Sequence, residues 1–279
     1  MTTDTNTPNW QVGWASFGSL LSTLLGTPVE WLKNVFIFHP NVQVEVSPAD
    51  YSLPFEDIWF GGSDSRLLHG WYVPGNGKAA VTPEPLFLWF HGNAGNVGHR
   101  LAHLQLLYHA MGGSHFVFDY QGFGRSRGNP SIPGILEDGR AAISLIHQRG
   151  WADGKTVIYF GESLGAAVVV SLAAEMPPSR AILLAPFYSL RAMGNIRLPP
   201  LSFLVEHDLN SARLIGNLRS PLLVIHGTED RTIPLRQGQD LYDLAPQPKR
   251  FYMIEGAGHT DLHDVGGESY LRVIQEFIS

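Results

Sequence analysis

The stretch Thr156-Val157-Ile158-Tyr159-Phe160-Gly161-Glu162-Ser163-Leu164-Gly165-Ala166-Ala167-Val168-Val169-Val170 decides how the chain is read. Its first five residues are β-branched or aromatic, as a buried strand requires, and the residues after Gly165 are small and apolar, as in a buried helix. Between them lies G-x-S-x-G. A turn that tight crowds the neighbours of the serine, and glycine on both flanks leaves room for it. The serine oxygen is then presented above the carboxyl end of a sheet. The next amide points toward a helix N-terminus, where the helix dipole favours an oxyanion.

On either side of this stretch, apolar runs alternate with helical patterns. Phe55 to Phe60 and Leu67 to Val73 flank the polar turn 61–65 and predict an opening antiparallel pair. Further strands are expected at Leu86 to Phe90, Phe116 to Tyr120, Ala181 to Ala185, Leu222 to Ile225 and Phe251 to Ile254. Helices are expected at Gly98 to Met111, Ile135 to Arg149, Leu164 to Met176, Leu235 to Leu244 and Val265 to Ile278. This alternation predicts an α/β fold, a mostly parallel eight-stranded sheet with helices on both faces. One connection, Tyr188 to Asn217, is longer than the rest and carries Pro199-Pro200 followed by apolar residues. It is expected to form a short cap, with Phe187, Tyr188, Leu201, Phe203 and Leu204 as candidate substrate-binding residues.

A serine hydroxyl is a weak nucleophile and needs a base within hydrogen-bond reach, itself oriented by a third group. Among 12 histidines, His259 is the one that follows the last expected strand, in Gly256-Ala257-Gly258-His259. Asp230 lies just beyond the strand Leu222 to Ile225, with Glu229 as its substitute. The chain order Ser163, Asp230, His259 suits a nucleophile on a strand-to-helix elbow. The oxyanion-hole amides are assigned to Leu164 and to Asn93, in the small-residue loop His91-Gly92-Asn93-Ala94-Gly95-Asn96.

Composition removes other chemistries. The chain of 279 residues has no cysteine, which excludes thiolate nucleophiles, Cys-ligated zinc and disulfide frameworks. A formal charge of -6 supplies no positive field for nucleic acid. His259, Asp261, His263 and Asp264 are dense enough to consider as metal ligands, as are His99 and His103, but no H-E-x-x-H pattern occurs and solvated surface is the plainer reading. Gly122-Phe123-Gly124-Arg125-Ser126-Arg127-Gly128 misses the dinucleotide-loop spacing, because its third glycine falls one residue late. Asp119 precedes the nucleophile and reads as a turn-organising carboxylate, and Asp208 is an acid of lower rank. Neither a cofactor nor a metal is called for.

Residues 1–36 form a segment of their own, ahead of a domain spanning 37–279. Trp10 to Val29 contains no charged residue, and Trp10, Trp14, Phe17, Leu21 and Leu24 recur at helical spacing. This stretch is expected to be an accessory helix lying on the domain or touching a membrane surface. With Asp4 and no Lys or Arg in residues 1–9, no cleaved secretory signal is read, and a cytoplasmic site is favoured.

The chain resembles the α/β-hydrolase fold serine hydrolases over nearly its whole length after about Glu30. More narrowly, Phe38-His39-Pro40-Asn41, Leu53-Pro54-Phe55-Glu56, Gly70-Trp71-Tyr72-Val73-Pro74, the 91–96 loop, Phe118-Asp119-Tyr120-Gln121-Gly122-Phe123-Gly124-Arg125-Ser126 and Ala257-Gly258-His259 are similar to its Bem46-like and ABHD-type branch. The resemblance implies an ester or thioester hydrolase and, in eukaryotic relatives, an N-terminal membrane anchor. Alternatives on the same fold are an acyl-protein thioesterase or lipase-like enzyme at a membrane surface, an acyltransferase or perhydrolase on the same triad and, more remotely, a non-catalytic binding protein. The expected function is carboxylesterase-like hydrolysis of a small-molecule ester through an acyl-enzyme on Ser163.

Overall fold

The computed structural model describes residues 34–61, 66–197 and 209–279. The chain divides into two units, 1–37 and 38–279. Of the first, only the short helical stretch 34–37 is described, so the stretch expected to be a helix over 10–29 lies outside the described residues. No described helix is long and apolar enough to cross a membrane.

The second unit is built on an eight-stranded sheet. Its strands are β1 (Glu56–Gly61), β2 (Leu67–Val73), β3 (Pro85–Phe90), β4 (Ser114–Phe118), β5 (Thr156–Glu162), β6 (Arg180–Leu184), β7 (Leu222–Gly227) and β8 (Lys249–Ile254). They lie side by side in the order β8-β7-β6-β5-β3-β4-β2-β1. Every pairing is parallel except β1 with β2 and β2 with β4. The expected α/β architecture is therefore present, including the opening antiparallel pair. Strands β3, β4 and β7 are buried along their whole length, which is why they read as unbroken apolar runs instead of alternating.

Helices cover both faces. On one, α1 (Leu101–Met111) and α7 (Leu262–Ile278) share a core with Trp71, Trp89 and Phe160. On the other, α2 (Ile132–Gln148) meets α3 (Leu164–Glu175) so closely that a Cβ on Gly139 would stand 2.5 Å from Leu172 Cδ1. Helix α3 is buried from Leu164 to Ala173, so it is apolar all round.

Several boundaries differ from expectation by one to three residues, three of them for a visible physical reason. Helix α2 starts at Ile132, not Ile135, because the Ser131 side chain accepts the Gly134 amide and Pro133 is tolerated in the first turn. Helix α7 starts at Leu262 and kinks at Gly267, where φ is 49° and ψ is -128°. Strand β4 ends at Phe118 rather than Tyr120, since the chain turns at once into Gly122 and Gly124, both at positive φ. In the connection expected to be a cap, the described helical elements are α4 (Leu190–Arg197), α5 (Ser211–Leu214) and a 3-10 turn at Ile215–Asn217, while 198–208 lies outside the described residues. Helix α6 (Leu235–Leu244) follows β7.

Candidate active site

Ser163 sits between β5 and α3 with φ at 55° and ψ at -112°, a conformation that side-chain-bearing residues rarely adopt. The two flanking glycines are sterically required. A Cβ on Gly161 would lie 2.6 Å from Gly165 O, and one on Gly165 only 1.9 Å from Phe90 O. The elbow is thus wedged between its own helix and the end of β3. The Ser163 amide donates to Leu184 O at 2.9 Å, continuing the β5–β6 ladder one residue into the turn.

The acid and the base arrive on two adjacent loops. Strands β7 and β8 are parallel neighbours, so the loops after them leave the same edge of the sheet. Glu229 N donates to Ala257 O at 2.9 Å, and Gly256 N donates to Thr228 Oγ1 at 2.9 Å. A Cβ on Gly227 would lie 2.3 Å from Ala257 O, so glycine lets the two loops touch. Between them His259 is held with Nδ1 at 2.7 Å from Asp230 Oδ2 and Nε2 at 3.1 Å from Ser163 Oγ. A carboxylate accepts only, so Nδ1 carries the proton and Nε2 turns its lone pair toward the serine hydroxyl.

Asp230 is buried and well supplied with donors. Its Oδ1 accepts the Thr232 and Ile233 amides, each at 2.8 Å. Its Oδ2 takes His259, and His226 Nε2 stands 3.4 Å away while donating to Ile233 O. Burial alone would raise this carboxyl, but the nearby His226 ring N–H and the hydrogen bonds from His259 and the Ile233 amide together hold it below its ordinary value. Glu229, the substitute acid, is exposed and its side chain is not drawn into this network. Asp208 lies outside the described residues.

The 91–96 loop flanks the serine. A Cβ on Gly92 would be 3.6 Å from Ser163 Cβ, which places the segment carrying Asn93 beside the nucleophile. Leu164, the other assigned donor, is the first residue of α3. The loop is braced by a feature with no periodic signature in the sequence, a parallel pairing of His39–Pro40 with Ala94–Gly95. Through it His39 N donates to Asn93 O at 2.8 Å and Asn41 N to Gly95 O at 2.9 Å. Asn96 Nδ2 returns bonds to the Asn41 and Gln43 carbonyls. Beneath the loop, Asp119 Oδ1 accepts the Val97 amide, and burial pushes its carboxyl up to about 8. Its neighbour His91 donates from Nδ1 to Gly92 O, and burial lowers its imidazole to about 3. Both are neutral near pH 7, which suits a pair with no exposed side-chain surface.

Phe187 is buried and Tyr188 is more than a third exposed, both on the connection after β6. Leu201, Phe203 and Leu204 lie outside the described residues. The histidines weighed as metal ligands go elsewhere. His103 bonds Tyr270 Oη at 2.7 Å and stacks on His263, while His99 turns to Asn96. Asp261 caps its own loop by accepting Gly258 N. Among the described residues no group of three or more metal-ligating side chains forms.

Comparison with known proteins gives a consistent picture. The family model described as Serine aminopeptidase, S33, matches residues 82–212. The chain is 36% identical over 245 residues to the uncharacterized protein Rv2307c of Mycobacterium tuberculosis, covering 87% of this chain and 86% of that one. It is 30% identical over 256 residues to the alpha/beta hydrolase domain-containing protein WAV2 of Arabidopsis thaliana, covering 84% and 81%. The esterase Pf2001 of Pyrococcus furiosus superposes with a TM-score of 0.71 at 18% identity, over 87% of this chain and 97% of that one. Sequence kinship across most of both chains, on a sheet of this topology, establishes that the chain belongs to the α/β-hydrolase family of serine hydrolases.

Proposed function

We propose that the chain hydrolyses carboxylic esters of small molecules by a two-step acyl-enzyme mechanism, with Ser163 as nucleophile, His259 as general base and acid, and Asp230 as the group that orients the imidazole. The observation that carries this reading is the unbroken hydrogen-bond chain from Ser163 Oγ through His259 to Asp230. Ser163 Oγ attacks the ester carbonyl while His259 Nε2 takes its proton, and the imidazolium that forms is stabilised by the Asp230 carboxylate. The Asn93 and Leu164 amides receive the oxyanion of the tetrahedral intermediate. His259 gives its proton to the leaving alcohol and then draws one from water, whose oxygen attacks the acyl carbon and restores Ser163. The ester and one water molecule supply every atom that these steps consume.

Labelling with a fluorophosphonate tests the reading. Wild-type protein is expected to be labelled and to cleave p-nitrophenyl acetate, and Ser163→Ala is expected to lose both. Labelling that persists in Ser163→Ala overturns the assignment. The narrower placement in the Bem46-like and ABHD-type branch draws its support from the motifs at 38–41, 91–96 and 118–126. Amide cleavage is a second reading, supported by the description of the matching family model. Aminoacyl anilides turned over faster than esters would favour it.

A further inference from the structure

An oxyanion hole works only when its donors converge on one oxygen, at about 2.7–3.1 Å. Here the two assigned donors are backbone amides on separate segments, one on the 91–96 loop and one on the elbow. Their spacing depends on whatever ties those segments together. The outer side of the loop is held by the 39–41 segment. The guanidinium of Arg100 also reaches the loop.

Arg100 ends a 3-10 turn, Val97–Arg100, immediately before α1. Its Nη2 donates to Ala94 O at 3.0 Å, one residue beyond Asn93. Its Nε stands 3.6 Å from Glu162 Oε2, one residue before Ser163. A Cβ on Gly92 would be 3.7 Å from Arg100 Nη2 and 3.6 Å from Ser163 Cβ, so guanidinium, loop and nucleophile meet around one point. The two side chains are only 16% and 17% exposed, so water screens the pair weakly. The planar guanidinium can face a carbonyl and a carboxylate at once, whereas an ammonium is a single point of charge.

We propose that Arg100 is a positioning residue that sets the width of the oxyanion hole, clamping the loop of Asn93 to the elbow of Leu164 with Glu162 as its counter-charge. It touches no reacting atom and acts through the backbone of both segments. The inference rests on the esterase reading. Loosening the clamp weakens an interaction made in the transition state and spares ground-state binding, so kcat falls while KM stays.

The test uses the full chain with Arg100→Met, Arg100→Lys and Glu162→Gln, each measured for p-nitrophenyl acetate kinetics, fluorophosphonate labelling rate and melting temperature. Arg100→Met is expected to lower kcat on the order of a hundredfold, the scale of losing one oxyanion donor. KM should stay within about threefold, and labelling should slow in step, because the phosphonyl oxygen occupies the same hole. Arg100→Lys should lose about tenfold, since an ammonium serves one partner at a time. Glu162→Gln should lose less than Arg100→Met, because the bond to Ala94 O survives. The pH profile of kcat should keep its shape in all three. If Arg100→Met does not fold, Arg100→Lys carries the test. Wild-type kcat per folded molecule in Arg100→Lys, or a loss expressed entirely in KM, overturns the clamp and leaves the esterase reading standing. A wild-type protein that is neither labelled nor active removes both.

Discussion

Ser163 stores strain in its own backbone, because at φ 55° and ψ -112° a Cβ is crowded by the chain around it. Residues held in such regions cost about 1–3 kcal/mol, and the surrounding fold supplies the constraint. Here the constraint is the Gly161 and Gly165 packing together with the Ser163 amide bond to Leu184 O. Ser163→Gly removes both the nucleophile and the steric conflict, whereas Ser163→Ala removes only the nucleophile. Glycine gives back roughly 0.4–1 kcal/mol through greater freedom in the unfolded chain. The remaining gain of about 1 kcal/mol corresponds to a melting temperature about 2–4 °C higher for Ser163→Gly than for Ser163→Ala. Both variants should be inactive. If Ser163→Ala melts at or above Ser163→Gly, the positive φ is not a source of strain.

The elements converge on the site through their ends, and Asp119 shows how. It follows β4 directly, donates its amide to His69 O at 2.9 Å, and accepts the Val97 amide from the turn before α1. Among the described residues its Oδ2 has no hydrogen-bond partner, and a Cβ on Gly124 would lie 2.0 Å from it. Burial raises the carboxyl to about 8 in the folded state, against an ordinary value of 3.8. A raised carboxyl favours the unfolded state once that state ionises. The penalty is absent below about pH 4, grows as pH rises toward 8, and then levels off. Asp119→Asn keeps an acceptor for Val97 and removes the titration. Its melting temperature relative to wild type should therefore climb steadily between pH 5 and 8, and a difference that is flat with pH would mean the carboxyl is not displaced.

Such links also explain what could be read from the chain beforehand. Strands β3, β5 and β7 and the elbow announce themselves because burial on both faces and a tight turn leave local marks in residue type. Ser163, Asp230 and His259 follow from being the right residues just past strand ends. The brace of His39–Pro40 on Ala94–Gly95 was not legible, since a pairing of two residues has no period. Arg100 facing Glu162 was equally hidden, because 62 positions separate them and only the folded β3 and β5 edges bring them together.

At the scale of the whole molecule, every described residue of the site belongs to the unit 38–279, and the start of that unit is part of the machinery. Phe38 is 4% exposed and meets Phe123 edge-on at 6.3 Å between ring centroids. His39 and Asn41 hold the Asn93 and Gly95 carbonyls, and the Asn41 carbonyl accepts the amide of Gly124. Removing these residues would free one side of the loop that carries an oxyanion donor, without touching Ser163, His259 or Asp230. Two truncations separate this role from that of the residues before it. A chain starting at Phe38 retains every one of these bonds and should hydrolyse p-nitrophenyl acetate with kcat within about twofold of the full chain, since the brace on the loop of Asn93 is kept. A chain starting at Gln43 lacks the brace, and its kcat should fall by at least about tenfold, because the donors no longer converge. Fluorophosphonate labelling rates should follow the same order. Full activity in the chain starting at Gln43 would show that the loop holds its shape unaided. Equal loss in both would move the requirement upstream, into residues 1–37.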